Sequence, residues 1–299
     1  MTRALVSAAN SPVLRAHPQL STRIGPYSYE IAESSITVSD GKETLRAPIA
    51  WGVGANVIGQ TFVFERDGRW YESRVSYFSS LGGLDITMGA QNITPHNLVE
   101  GAGRLLSPLQ AGQCFDCHAT GVRKSPGLEL ADMTEGVQCE RCHGSAQAHL
   151  QSVRTGTSTR VMRKLGSLTT EELSDFCGQC HRTWSQVAVS GPRGIQNLRF
   201  QPYRLANSKC FDAVDARIRC TACHDPHRAL EISAAVYDAK CTACHSLRAR
   251  QTKAAKHICR AATHDCVTCH MPRVELPGAH YAFTDHRIRI AKAGEPYPD

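Results

Sequence analysis

No stretch of this chain reaches 18 consecutive apolar residues, so the sequence encodes no membrane-spanning helix. Cysteine is absent from residues 1–110, and aromatic residues are sparse throughout, at 6% of 299. The opening segment, Met1 to Pro12, lacks the apolar region of about 7–15 residues that a secretory signal requires. Ala4–Ala9 is too short, although Ser7-Ala8-Ala9 resembles the small-residue end of such a peptide, and this reads as a truncated or remodelled start. Gly52-Val53-Gly54 with Gly59 has neither the spacing nor the strand-to-helix context of a nucleotide loop, and reads as a glycine-rich bend between strands.

All 14 cysteines lie between residues 114 and 269. Two of them, Cys210 and Cys259, stand apart; the rest form six copies of Cys-x-x-Cys-His. These are Cys114, Cys117 and His118; Cys139, Cys142 and His143; Cys177, Cys180 and His181; Cys220, Cys223 and His224; Cys241, Cys244 and His245; Cys266, Cys269 and His270. Two thiols separated by two residues can form thioethers to the two vinyl groups of one haem, and the next residue then lies under the iron as an axial imidazole. Zinc ribbons, iron–sulfur ligands and redox dithiols also use Cys-x-x-Cys, but none needs His after every second Cys. Six covalently attached c-type haems are therefore expected. Such attachment takes place on the outer side of the cytoplasmic membrane, which implies a periplasmic or extracellular protein.

The composition shift near Ser107–Gly112 predicts an α+β chain of two parts. Residues 1–110 form a haem-free, antiparallel β-rich domain, and residues 111–299 a hexahaem domain of short helices and loops. In the first, Tyr29-Glu30-Ile31 and Ile36-Thr37-Val38 alternate, and Asp40-Gly41 closes a turn. Thr61–Arg66 and Arg69–Arg74 flank Asp67-Gly68, a strong two-residue hairpin signal. In the second, Thr169-x-x-Glu172 is a capping box that starts a helix carrying Cys177 and His181. Residues 114–270 supply only about 26 residues per haem, too few for six separate cores, so the haems must pack against one another as the apolar interior. The formal charge of +7 then has a partner: each haem adds about −1 when ferric and −2 when ferrous, which brings the total near +1 oxidised and −5 reduced. The basic excess balances propionates, and no nucleic-acid motif accompanies it.

Eight histidines remain outside the motifs: His17, His96, His149, His227, His257, His264, His280 and His286. They outnumber six open iron positions, which permits ligation by two imidazoles at every iron, with low potentials and no room for substrate. His227, in Cys223-His224-Asp225-Pro226-His227, is too close to its own motif to reach the same iron and should serve another. His149, six residues past His143, and the pair His280 and His286 rank beside it, with Asp285 placed to support His286. His257 and His264 compete, at least one being expected on iron; His96 is the candidate from the first part, and His17 reads as a surface residue. Met271 points away from the open face of its neighbour's iron, and Met88 and Met133 are weak candidates. In an oxidising compartment Cys210 and Cys259 are expected to pair.

Gly136-Val137-Gln138-Cys139-Glu140-Arg141-Cys142-His143-Gly144 followed by His149 resembles a segment of periplasmic multihaem c-type cytochromes. Cys220–His227, Cys266–Pro272 and Thr284-Asp285-His286 are also similar to that family, over roughly residues 111–290. The resemblance implies His149, His227, His280 and His286 as distal ligands. The leading reading is an electron carrier between redox partner proteins. Two others compete: a subunit that self-associates end to end into a conducting extracellular filament, and a reductase of a small nitrogen or sulfur oxyanion with one open haem. Multihaem nitrite reductases typically replace one motif His by Lys, and all six motifs here end in His, which counts against the enzyme.

Overall fold

The computed structural model describes residues 1–299 except 56, 125–127, 131, 158–161, 247–258, 260, 293, 296 and 298–299. The chain forms two compact units, Met1–Lys164 with Pro277–Tyr281, and Leu165–Leu276 with Ala282–Asp299. The division falls after Lys164 and not at 110/111, so the first two attachment motifs fold with the β-rich part.

The first unit is built on a nine-stranded antiparallel sheet. Its strands are β1 (Leu5–Ser7), β2 (Gln19–Ile24), β3 (Tyr27–Ala32), β4 (Ser35–Ser39), β5 (Thr44–Val53), β6 (Gly59–Arg66), β7 (Arg69–Phe78), β8 (Gly83–Ile86) and β9 (Gly103–Leu105). Strands β2 to β8 follow one another as a meander, with β1 added to β5 and β9 to β7. The end strands β2 and β8 pack together, so the sheet curls into a nearly closed barrel. Alternation places Tyr29, Ile31, Ile36, Val38, Phe62, Phe64 and Val75 inside.

The β6–β7 hairpin has the expected register, Arg66 opposite Arg69. Asp67 (φ 51°) and Gly68 (φ 68°) are both left-handed, as the twist of the flanking strands demands. A second turn of this kind, Glu33-Ser34 between β3 and β4 (φ 50° and 56°), had no glycine to announce it. The glycine-rich bend after β5 is confirmed: Gly54 has φ 116°, and a Cβ there would lie 2.6 Å from the Gly59 carbonyl oxygen.

Helices α1 (Pro12–Ala16), α2 (Leu98–Ala102), α3 (Pro108–His118), α4 (Cys139–His143) and α5 (Gln147–Arg154) complete this unit, with a short ribbon of β10 (Arg123–Lys124) and β11 (Leu128–Glu129). The inner face of α3 explains the shifted boundary. Phe115 and Ala119 pack with Leu5, Trp51 and Val53, and Ala111 packs with Val63 and Leu106, so the first motif helix is bonded into the barrel's own apolar surface.

The second unit is helical. It contains α6 (Thr170–His181), α7 (Trp184–Ser190), α8 (Gln201–Ala206), α9 (Cys220–Cys223), α10 (Ala234–His245) and α11 (Cys266–His270), plus a ribbon of β12 (Arg273–Glu275) and β13 (Ala282–Thr284). Its helices are short, and few of its apolar side chains are fully buried: Leu173, Val187, Leu198, Tyr203 and Leu276 are the largest. Among the described residues this unit has little apolar core of its own, which suits another apolar filling.

Candidate haem-attachment sites

Five of the six motifs lie wholly on a helix, which sets their two sulfurs and imidazole on one side of a single turn, whereas in the fourth α9 carries only the two cysteines and His224 follows it with extended backbone (φ −118°, ψ 136°). Two of these helices start at a local capping box. Thr169 and Glu172 make the expected capping box for α6, and Ser107 with Gln110 makes another for α3. In the first unit, motif 1 positions motif 2. The Thr120 hydroxyl donates to the Gly136 carbonyl (2.9 Å) and accepts from the Gln138 amide (2.9 Å) just before α4, while Arg141 pairs with Asp116 at 3.5 Å.

In the second unit the motif helices pack in chain order, α6 on α9, α9 on α10, and α10 on α11. The Cys177 and Cys220 side chains are neighbours, as are those of Cys241 and Cys266. Four attachment sites are thus consecutive neighbours.

The imidazoles share one tautomer wherever their partner is a carbonyl. Nδ1 lies 3.0 Å from the Ala4 carbonyl in His118, 2.9 Å from that of Arg163 in His143, and 2.9 Å from that of Arg289 in His270. A carbonyl only accepts, so the proton is on Nδ1 and the Nε2 lone pair remains for a metal. His224 reaches the same state differently: the Tyr237 hydroxyl donates to the Glu231 carbonyl and so accepts from His224 Nδ1 at 3.3 Å. Nothing in the sequence marks Tyr237 for this role.

Among the non-motif histidines, His286 has the same arrangement, its Nδ1 donating to the Thr284 carbonyl at 3.0 Å. Its ring centre lies 6.1 Å from that of His224, with 43° between the planes. Two imidazoles on opposite sides of one metal have centres about 6 Å apart, from about 2 Å of metal–nitrogen bond and about 1 Å of ring on each side. Burial, and then the neighbouring His224, push the His286 imidazole down to about 4, with the Thr284 carbonyl opposing. Burial likewise lowers His224, with His181 adding to it, and lowers His118 against the pull of the Ala4 carbonyl. These rings are held neutral, the form in which imidazole binds metal.

The other candidates are less closely placed. His149 is half-buried on α5. His227 is exposed with Nδ1 3.4 Å from Asp225, and His264 is exposed with Nδ1 2.8 Å from Asp265. His280 sits edge-on to Phe78, and its Nε2 is 2.7 Å from the Asp85 carboxylate, so only Nδ1 could serve a metal in this arrangement. His96 is exposed, and its backbone amide donates to Glu100. His181 and His245 end their helices on the surface of the unit. His257 lies outside the described residues. His17 is half-buried against Tyr77, with ring centres 4.8 Å apart, and is therefore packed and not simply a surface residue.

Two expectations are corrected. Asp285 does not support the His286 ring; its buried carboxylate holds Arg204 through two 2.9 Å bonds, Arg289 at 2.7 Å and the Arg287 amide at 3.0 Å. Burial, the largest single influence, would raise Asp285, but the Arg204 hydrogen bonds, the Arg287 amide and the charges of Arg204 and Arg289 together outweigh it and keep the carboxyl below its ordinary value. The residue therefore anchors the backbone on either side of His286 through guanidinium groups. Cys210 and Cys259 are both unbonded: Cys210 lies half-buried near Cys223 and Cys244, whereas Cys259 is exposed.

The residues present fit a haem. Among the described residues no three His, Cys, Asp or Glu side chains converge on a compact metal-ion site, as they would in a zinc ribbon. Nε of Arg141, Arg199 and Arg289 is buried without an acceptor, and burial holds the Arg199 guanidinium below its ordinary value. Arg141 and Arg289 bond carboxylates through their other nitrogens, but a buried guanidinium N–H left without an acceptor is costly, and a propionate is an acceptor of the right charge.

Comparison with known proteins gives a family-model match, a sequence relative and a structural likeness. A family model described as cytochrome c554 and c-prime matches residues 96–144, which span motifs 1 and 2. The multiheme cytochrome MtrA of Shewanella baltica (strain OS185) is 26% identical over 178 residues, 56% of this chain and 47% of that one, so the chain spans about half the length of this relative. The crystal structure of the outer cell wall cytochrome OcwA superposes with a TM-score of 0.49 at 14% identity, covering 81% of this chain and 68% of that one. With six attachment motifs in hand, the class is defined: the chain is a multihaem c-type cytochrome, carrying covalently attached haem. No helix among the described residues is long and apolar enough to cross a membrane.

Proposed function

We propose that this cytochrome carries six haems and passes single electrons along them between redox partner proteins, outside the cytoplasmic membrane. Haem iron gains and loses one electron without changing its ligands, which suits a relay. The observation that carries the reading is the consecutive packing of α6, α9, α10 and α11, with the attachment cysteines of adjacent motifs side by side. That packing supports short electron steps.

The chain's residues would act as follows. His118, His143, His181, His224, His245 and His270 hold the irons from their own motifs. His286 would hold the same iron as His224, for which the 6.1 Å ring separation is the support. The other five irons would draw on His149, His227, His280 through Nδ1, His96, His257 and His264. The carbonyls of Ala4, Arg163, Arg289 and Thr284 fix ring orientation and tautomer. Arg141, Arg199 and Arg289 receive propionates.

The test is a haem count on the purified, full-length protein, joined to electron paramagnetic resonance of the oxidised form. Six haems, all low-spin, are expected. A high-spin ferric signal amounting to one haem in six would overturn the closed-iron reading and favour the reductase of a small oxyanion.

A further inference from the structure

The buried side chain of α10 is a carboxylate. Asp238 lies three residues before Cys241 of motif 5, and it is 8% exposed. A buried carboxylate needs strong hydrogen-bond donors. Its two oxygens accept the backbone amides of Asp265 (2.7 Å) and Cys266 (2.8 Å), which begin the motif 6 helix α11. That helix has no side-chain cap of its own. Its N-cap residue, Asp265, is left-handed (φ 55°, ψ 33°), a conformation that costs a non-glycine residue energy and must be imposed from outside. The cap for motif 6 therefore comes from the helix of motif 5, where the Cys241 and Cys266 side chains meet.

We propose that Asp238 is a positioning residue that locks the motif 6 helix onto the motif 5 helix, and that its negative charge holds the two haems attached there at low potential. The electrostatic half follows from charge counting. A ferric haem is one charge more positive than a ferrous one, so a fixed anion in a poorly solvated place favours the ferric state. The two amides that satisfy the carboxylate are neutral dipoles and leave its charge in place. The inference rests on the hexahaem reading above.

Spectroelectrochemical titration of the full-length protein and of its Asp238→Asn, Asp238→Glu and Asp238→Ala variants tests it, with the haem count measured on each. With six haems retained, Asp238→Asn should shift two of the six one-electron transitions to higher potential, and Asp238→Glu should return them towards the parent curve. An Asp238→Asn curve that superposes on the parent overturns the proposal. So does a shift spread evenly over all six transitions, or loss of haem from Cys266 and Cys269 in that variant with the remaining transitions unmoved. Asp238→Ala removes cap and charge together; if it cannot be isolated folded, the Asn and Glu variants still decide. A parent with fewer than six haems instead refutes the hexahaem reading and leaves the cap geometry as it stands.

Discussion

At the scale of single residues, the most consequential pair is His224 and His286. One belongs to a motif, the other lies 62 positions away, and their rings stand 6.1 Å apart. Replacing His286 with Ala should convert one haem in six from low to high spin while the other five keep their signals; an unchanged resonance spectrum would remove His286 from the ligand set. Tyr237 belongs to the same site from the other side, since its hydroxyl accepts the His224 Nδ1 proton. Phenylalanine at that position deprives the imidazole of its acceptor and makes it a poorer electron donor to iron, so one haem potential should rise. Potentiometric titration of the Tyr237→Phe variant measures this. The ligand candidates were visible as a list of histidines, but the tautomers were not, because the acceptors Ala4, Arg163 and Arg289 are backbone carbonyls from 19 to 114 residues away.

At the scale of elements, capping and a buried ion cluster decide how motif helices are held. Thr169 and Glu172 close both bonds of the capping box on α6. Thr169→Ala should cost about 1 kcal/mol of stability, read from chemical denaturation. Asp285 is the larger lever. Its carboxylate and the Arg204 guanidinium are fully buried, Arg289 joins them, and the Tyr297 ring lies 4.5 Å from the Arg204 guanidinium carbon. Removing the carboxylate leaves buried cations unpaired, so Asp285→Ala should destabilise the second unit by about 3–5 kcal/mol in the same measurement. A loss below about 1 kcal/mol, the range of an exposed pair, would show that the cluster is solvated in solution. The capping box was legible because all its parts lie within four residues. The ion cluster was not, because Arg204 and Asp285 are 81 residues apart and nothing local distinguishes them from surface charges.

For the whole molecule, the chain's formal +7 and the six proposed haems predict a large redox-dependent change in charge, to about −5 when fully reduced. The reduced protein should be retained more strongly than the oxidised one on an anion exchanger, and equal retention would contradict six titrating irons. The sequence by itself determined the attachment motifs, the β3, β4, β6 and β7 segments of the sheet and the β6–β7 hairpin. Each of these follows from residues close together in the chain: a five-residue attachment motif, a period of two, an Asp-Gly turn. Tertiary structure alone decided the rest. Motif 1 joined the first unit, which runs to Lys164, because Phe115 of the motif and Ala111 earlier on its helix bury against Leu5, Trp51 and Val63 of the sheet. His286 met His224, Asp285 turned to arginines, and Asp238 came to cap a helix 27 residues downstream, all through long-range packing. Local pattern specifies which groups can bind a haem, whereas burial and distance decide which of them stand opposite one another.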